Sequence, residues 1–144
     1  MRIGTLVRPL SLAEFVNEVA RRLPATTAGV RAAGDPGTLV RTVAVAGGAG
    51  DSFLGEVSAA GVDAFLTADL RHHPASEHLA GGGPALLDAA HWATERPWLD
   101  TLADELRADV GSVGLDVVVS DLVTDVWTVH APAPDTPTSG MRHT

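Results

Sequence analysis

The sequence predicts an α/β fold, a single layered domain with a mostly parallel central sheet flanked by helices. Three observations carry that expectation. Residues 42–46, 63–67 and 85–89 are short apolar runs of the length a buried strand needs. Each is followed by a turn and then by a segment of helical period, and strand–turn–helix in repetition builds parallel sheets covered by helices. The 144 residues, 45% of them hydrophobic, suffice for one domain with a real core and are too few for two comfortable ones.

In chain order, residues 1–10 read as a lead-in segment that contains Pro9. Ser11 opens a helix, because Glu14 lies three residues on and can return its carboxylate to the Ser11 amide. Leu12, Phe15, Val16, Val19, Ala20 and Leu23 share one face of it, Asn17, Glu18, Arg21 and Arg22 take the other, and Pro24 ends it. Residues 29–32 alternate as a short edge strand would, and Asp35-Pro36-Gly37 is a turn into the strand at 42–46. A glycine turn from Gly47 to Ser52 leads to a helix carrying Phe53, Leu54 and Val57. The strand at 63–67 precedes a helix that begins near Pro74. The strand at 85–89 precedes a helix over 97–108 with Leu99, Leu102, Ala103 and Leu106 inward. Residues 113–120 read as a fourth core strand and 126–129 as a last one. The domain is thus expected over 11–130, with 131–144, which holds three prolines, as a disordered tail.

Composition narrows the function. The formal charge is -8 and all ten basic residues are arginines with no basic run, which argues against nucleic-acid binding. Cysteine is absent, so disulfides, thiolate metal sites and thiol catalysis are excluded. No apolar run reaches membrane-spanning length, and a soluble cytoplasmic protein is the expectation.

The chemistry-bearing residues cluster after predicted strands. His91 and Glu95 follow the run 85–89, at the carboxyl edge where open α/β sheets bind ligands. A histidine and a carboxylate four residues apart converge on one point if the turn between them is helical. That N/O pair suits a divalent ion such as zinc, manganese or iron. The same spacing also suits a histidine that satisfies a backbone carbonyl at a helix start, with Glu95 favoured there by the helix dipole. Asp69, His72 and His73 follow the run 63–67, with Pro74 in the first turn of a helix. They can share a pocket with His91, or the histidines can be a polar cap on a surface helix, which is the reading for His78. The glycine turn 47–52 can cradle a phosphate, but it lacks the lysine of a P-loop, and a close packing turn fits it better. Asp88, Thr124, Asp125 and Trp127 lie at strand ends with no chemistry assignable from spacing.

The series from Leu66 to His73 and then from Leu87 to Glu95 resembles the NIF three-like dinuclear metal centre proteins, the GTP cyclohydrolase 1 type 2 homologues. The stretches 43–52 and 123–128 are similar too, so the resemblance spans nearly all of the chain except the tail. It is to the second lobe of a two-lobed family, whose first lobe supplies a Thr-His-His-Pro-Leu motif and an aspartate to two adjacent divalent metals. The resemblance implies metal-ligand roles for His91 and Glu95 and a pocket-lining place for Asp69, His72 and His73. His72 or His73 would then be placed to shuttle protons, and no first-lobe ligand role carries over to either. It further implies a homo-oligomer, a hexamer in the family, and a metal-dependent hydrolase acting on a small phosphorylated or nucleotide substrate. The half-site as it stands is expected to bind metal weakly. The competing expectation is a non-catalytic oligomerisation or assembly module that retains the second lobe.

Overall fold

The computed structural model describes residues 1–110 and 114–131. Its centre is a five-stranded sheet in the order β1-β3-β4-β5-β2. The strands are β1 (Arg2–Ser11), β2 (Val30–Ala33), β3 (Leu39–Ala49), β4 (Ala64–Ala68) and β5 (Ala85–Ala89). The inner three run parallel, while β1 and β2 close the two edges antiparallel. The helices are α1 (Leu12–Arg22), α2 (Leu54–Ala60), α3 (His72–Ala80) and α4 (His91–Val110).

A parallel strand covered on both faces needs apolar residues of both parities, and β4 and β5 supply them. Ala64 and Leu87 pack with Leu12, Phe15 and Val19 of α1 on one face. Phe65 and Leu86 pack with Leu54 and Val57 of α2 on the other. Successive residues point to opposite faces, so one short run feeds two cores. The α1 start is the capping box that Ser11 and Glu14 spell out: the Glu14 amide donates to Ser11 Oγ at 3.3 Å and the Ser11 amide to Glu14 Oε2 at 2.8 Å. At the amino end of β4, Asp63 Oδ2 accepts the Arg41 and Thr42 amides, each at 2.8 Å, and Thr42 Oγ1 at 3.0 Å. One carboxylate thereby fixes β4 against β3.

Three expectations need correction. Residues 2–11 are a ten-residue strand of the sheet, not a lead-in outside the domain. Between the pairs Thr5↔Thr42 and Leu10↔Val40, β1 advances five residues while β3 retreats two, and Pro9 sits in that irregularity. Proline is tolerated on an edge strand at such a bulge because no ladder bond is asked of it there. The helix expected from residue 97 begins at His91 and carries Pro97 in its interior. Proline in a helix forfeits one backbone bond without obliging the helix to start there. Residues 114–120 and 126–129, expected as strands, form none. Leu115, Val118, Val126, Trp127 and Val129 are exposed. A β-branched run becomes a strand only beside an edge that pairs with it. Instead the segment lies along α4 through Arg107, which donates to the Val117 carbonyl at 2.8 Å, and Arg96, which bonds Asp121 at 2.7 Å. The tail expectation, beyond residue 131, lies outside the described residues. Among the described residues no helix is long and apolar enough to cross a membrane.

Candidate metal centre

The site is built where three parallel strands end together. Ala68 and Ala89 are register partners at the carboxyl ends of β4 and β5, so Asp69 and Ala90 are neighbours and His91 follows at once. Ala49 of β3 also pairs with Ala68, but from Val45 to Ala49 β3 advances four residues while β4 advances two. The extra residues form a bulge that pushes Gly48 toward the first turn of α4. Bulges beside sites re-aim the chain in this way.

Gly48 is held on both sides. Its amide donates to Thr94 Oγ1 at 2.9 Å, and its carbonyl accepts the buried Thr67 hydroxyl at 2.8 Å. Its φ is +71°, a left-handed conformation that glycine adopts without strain. A Cβ there would stand 2.8 Å from Glu95 Oε1 and 3.2 Å from His91 Nε2. A side chain at 48 would therefore intrude on the space those two groups face. The Gly50 amide bonds the Ala68 carbonyl at 3.1 Å. The glycine turn is thus a packing device, since the Gly48 and Gly50 amides that would hold a phosphate are committed elsewhere.

His91 and Glu95 lie on one face of the first helical turn of α4, with His91 Nε2 3.3 Å from Glu95 Oε1. On its other side, His91 Nδ1 lies 2.6 Å from Asp69 Oδ2. The His91 pKa is raised. The hydrogen bond to Asp69 is the main cause, partial burial opposes it, and the charges of Glu95 and Asp69 add to it. The three groups open onto a cleft of about 780 Å³, whose walls include Arg31, Trp92 and Trp127.

The other candidates fall elsewhere. His72 and His73 are the first residues of α3, both exposed, with their rings edge to face at 5.3 Å, and neither lines the cleft. His78 Nε2 lies 3.1 Å from the Pro84 carbonyl and serves packing. Asp88 is taken up by Arg31, whose Nε donates to it at 2.7 Å, and by the Leu70 amide at 3.3 Å. Among the described residues no group of three or more His, Cys, Asp or Glu side chains is arranged to hold a metal ion. Sequence reasoning missed the parts played by Gly48, Thr67 and Thr94. The only signal was a pair of glycines at a strand end.

The family model for Duf34/NIF3 (NGG1p interacting factor 3) matches residues 1–126. The chain belongs to this family. A GTP cyclohydrolase 1 type 2 homolog of Streptomyces coelicolor is 55% identical to this NIF3-family chain over 142 residues, 96% of the chain and 50% of the relative. A protein of the same name from Mycobacterium leprae is 54% identical over 130 residues, 90% of the chain and 34% of the relative. The NIF3-family chain thus spans between a third and a half of the length of these relatives. The crystal structure of a Bacillus cereus protein related to NIF3 superposes with a TM-score of 0.77 at 26% identity, covering 89% of the chain and 35% of that protein.

Proposed function

We propose that this NIF3-family chain contributes part of a divalent-metal centre, with His91 Nε2 and a Glu95 carboxylate oxygen as two of its ligands. The observation that carries this is the 3.3 Å between those atoms beside a glycine that leaves their common side open. At metal–ligand distances of about 2.0–2.2 Å, neighbouring donors around one zinc ion stand roughly 3.0–3.5 Å apart. The mixed N/O set suits zinc, manganese or iron. Two ligands leave the coordination sphere open, so the remaining donors come from elsewhere in the assembled protein. An ion held by His91, Glu95 and those donors would supply Lewis acidity toward water and phosphate, the chemistry of a metal-dependent hydrolase acting on a small phosphorylated or nucleotide substrate. The cyclohydrolase name borne by the relatives points the same way.

The test is elemental analysis and Zn²⁺ titration of the purified chain. Substoichiometric, weakly held metal that disappears in His91→Ala is the expected result. Two tightly held metals per chain, or binding untouched by His91→Ala, would overturn it.

A second reading has its own observation. The exposed apolar side chains of Leu115, Val118, Leu122, Val126 and Val129 favour a module whose role is assembly, with no chemistry of its own. Sedimentation equilibrium and the Zn²⁺ titration together separate the two, since a wild-type chain that assembles yet binds no Zn²⁺ is what this alternative requires.

A further inference from the structure

We infer that Asp69 is the positioning residue of the His91–Glu95 pair: its carboxylate holds the imidazole so that the Nε2 lone pair faces Glu95 and Gly48. The inference rests on the reading of His91 as a metal ligand and extends it to a residue that touches no ion.

The geometry carries it in three steps. An ionised carboxylate can only accept, so the 2.6 Å contact with Asp69 Oδ2 requires the proton on Nδ1. The competing contact from Nε2 to Glu95 is longer at 3.3 Å, so the shorter bond fixes the neutral tautomer. The lone pair then lies on Nε2, on the side where Glu95 also points. A carboxylate behind a ligating imidazole both orients the ring and raises its basicity.

The backbone at Asp69 supports this role independently. Asp69 has φ +57°, and among the described residues it is the non-glycine residue with positive φ. Glycine suits that conformation better than any residue with a Cβ. The left-handed turn sends Leu70 inward, where it is buried, and its amide bonds Asp88. The same turn swings the Asp69 carboxylate sideways across the sheet edge onto His91. Aspartate is one of the few residues with a Cβ that adopt this conformation, at a cost that glycine would not carry. What the aspartate adds over glycine is a carboxylate, and among the described residues the polar partner of that carboxylate is His91.

The decisive variant is therefore Asp69→Gly, which relieves the backbone and removes the carboxylate. Long-range ¹H–¹⁵N NMR of the metal-free chain, at a pH where the ring is neutral, reads the tautomer directly. The expected result is an Nδ1-protonated His91 in the wild type that moves toward the Nε2-protonated form in Asp69→Gly. Zn²⁺ affinity falls about 10–100-fold in the same variant while the melting temperature holds or rises. Asp69→Asn, whose amide oxygen can still accept from Nδ1, restores the tautomer and part of the affinity. An Nε2-protonated wild type, or an Asp69→Gly chain that keeps both tautomer and affinity, would overturn the inference. So would an affinity loss with the tautomer unchanged, which is what a purely structural role predicts. His91→Ala tells the two failures apart. If that variant binds Zn²⁺ like the wild type, the metal reading fails. If it loses binding while Asp69→Gly keeps it, only the role of Asp69 fails.

Discussion

After β4 the chain presents His72 and His73, and after β5 it presents His91. Both strands are parallel and in register, so all three histidines leave the sheet from the same edge. Their surroundings differ completely. His91 is set between Asp69 and Glu95, with Gly48 leaving room beside it. His72 and His73 face each other and solvent at the start of α3. Strand-end position selects the edge where a ligand can bind. What turns an edge into a site is convergence, here of three strand ends on one helical turn.

The largest effect expected from that contrast is on metal. His91→Ala should put Zn²⁺ binding beyond the reach of a calorimetric titration. The double variant His72→Ala/His73→Ala should leave it within about twofold, as expected of surface substitutions. A double variant that loses metal as completely as His91→Ala would erase the distinction and return the α3 pair to the site.

How much of this was legible follows the range of the interactions. The Ser11–Glu14 capping box spans four consecutive residues and is legible in the sequence, as are the apolar runs of β4 and β5. The His91–Glu95 pair is one helical turn, so its shared face followed from spacing once the turn was helical. β1 escaped notice because an edge strand with Arg2, Thr5, Arg8 and Pro9 shows neither apolar continuity nor clean alternation. Gly48 meets His91 across 43 residues of sequence through a bulge, and no local pattern announces a bulge. The described residues 114–120 and 126–129 depart from the expected strands for the opposite reason: their propensity is strong, but strand formation depends on a partner edge that propensity does not encode.

The next effect isolates the contact that Gly48 makes. Gly48 and Gly82 both have positive φ, but an added Cβ at Gly82 meets nothing within 4 Å. Gly82→Ala should cost about 1–2 kcal/mol for the left-handed backbone alone. Gly48→Ala should cost that plus about 1–3 kcal/mol of overpacking against Glu95 and His91. Urea denaturation of the two variants measures the difference. Equal losses would mean that the His91–Glu95 pair yields freely and that the corner is not tightly built.

Thr67 tests how that glycine is held. Its hydroxyl is fully buried and donates to the Gly48 carbonyl. Thr67→Val keeps the shape and removes the donor, which leaves a buried carbonyl unsatisfied at a cost of about 1–3 kcal/mol. The same denaturation experiment should place it at or below Gly48→Ala. A neutral result would show that Gly48 stays in place without its Thr67 bond.

The smallest expected effect sharpens the comparison from the other end of β4, where Asp63 fixes the strand as Asp69 orients His91. Burial pushes the Asp63 carboxyl up, but the hydrogen bonds from the Thr42 and Arg41 amides and the Thr42 hydroxyl outweigh it and hold the pKa below the ordinary carboxylate value. A carboxyl with a lowered folded pKa contributes stability above its unfolded pKa of about 3.9 and loses it as pH falls through the folded value. Asp63→Asn keeps an acceptor oxygen and removes the charge, so its cost near neutral pH should be only about 1 kcal/mol. That difference from the wild type should shrink as pH falls from about 4 through the lowered folded pKa, below which the wild-type carboxyl is neutral as well. The His91 tautomer should not change in this variant, since Asp63 acts at the amino end of β4 and Asp69 at its carboxyl end. A stability difference that stays constant down to pH 2 would show that the Asp63 charge is not what holds β3 to β4. A shifted His91 tautomer would show that the two ends of the strand are coupled and that Asp69 does not set His91 alone.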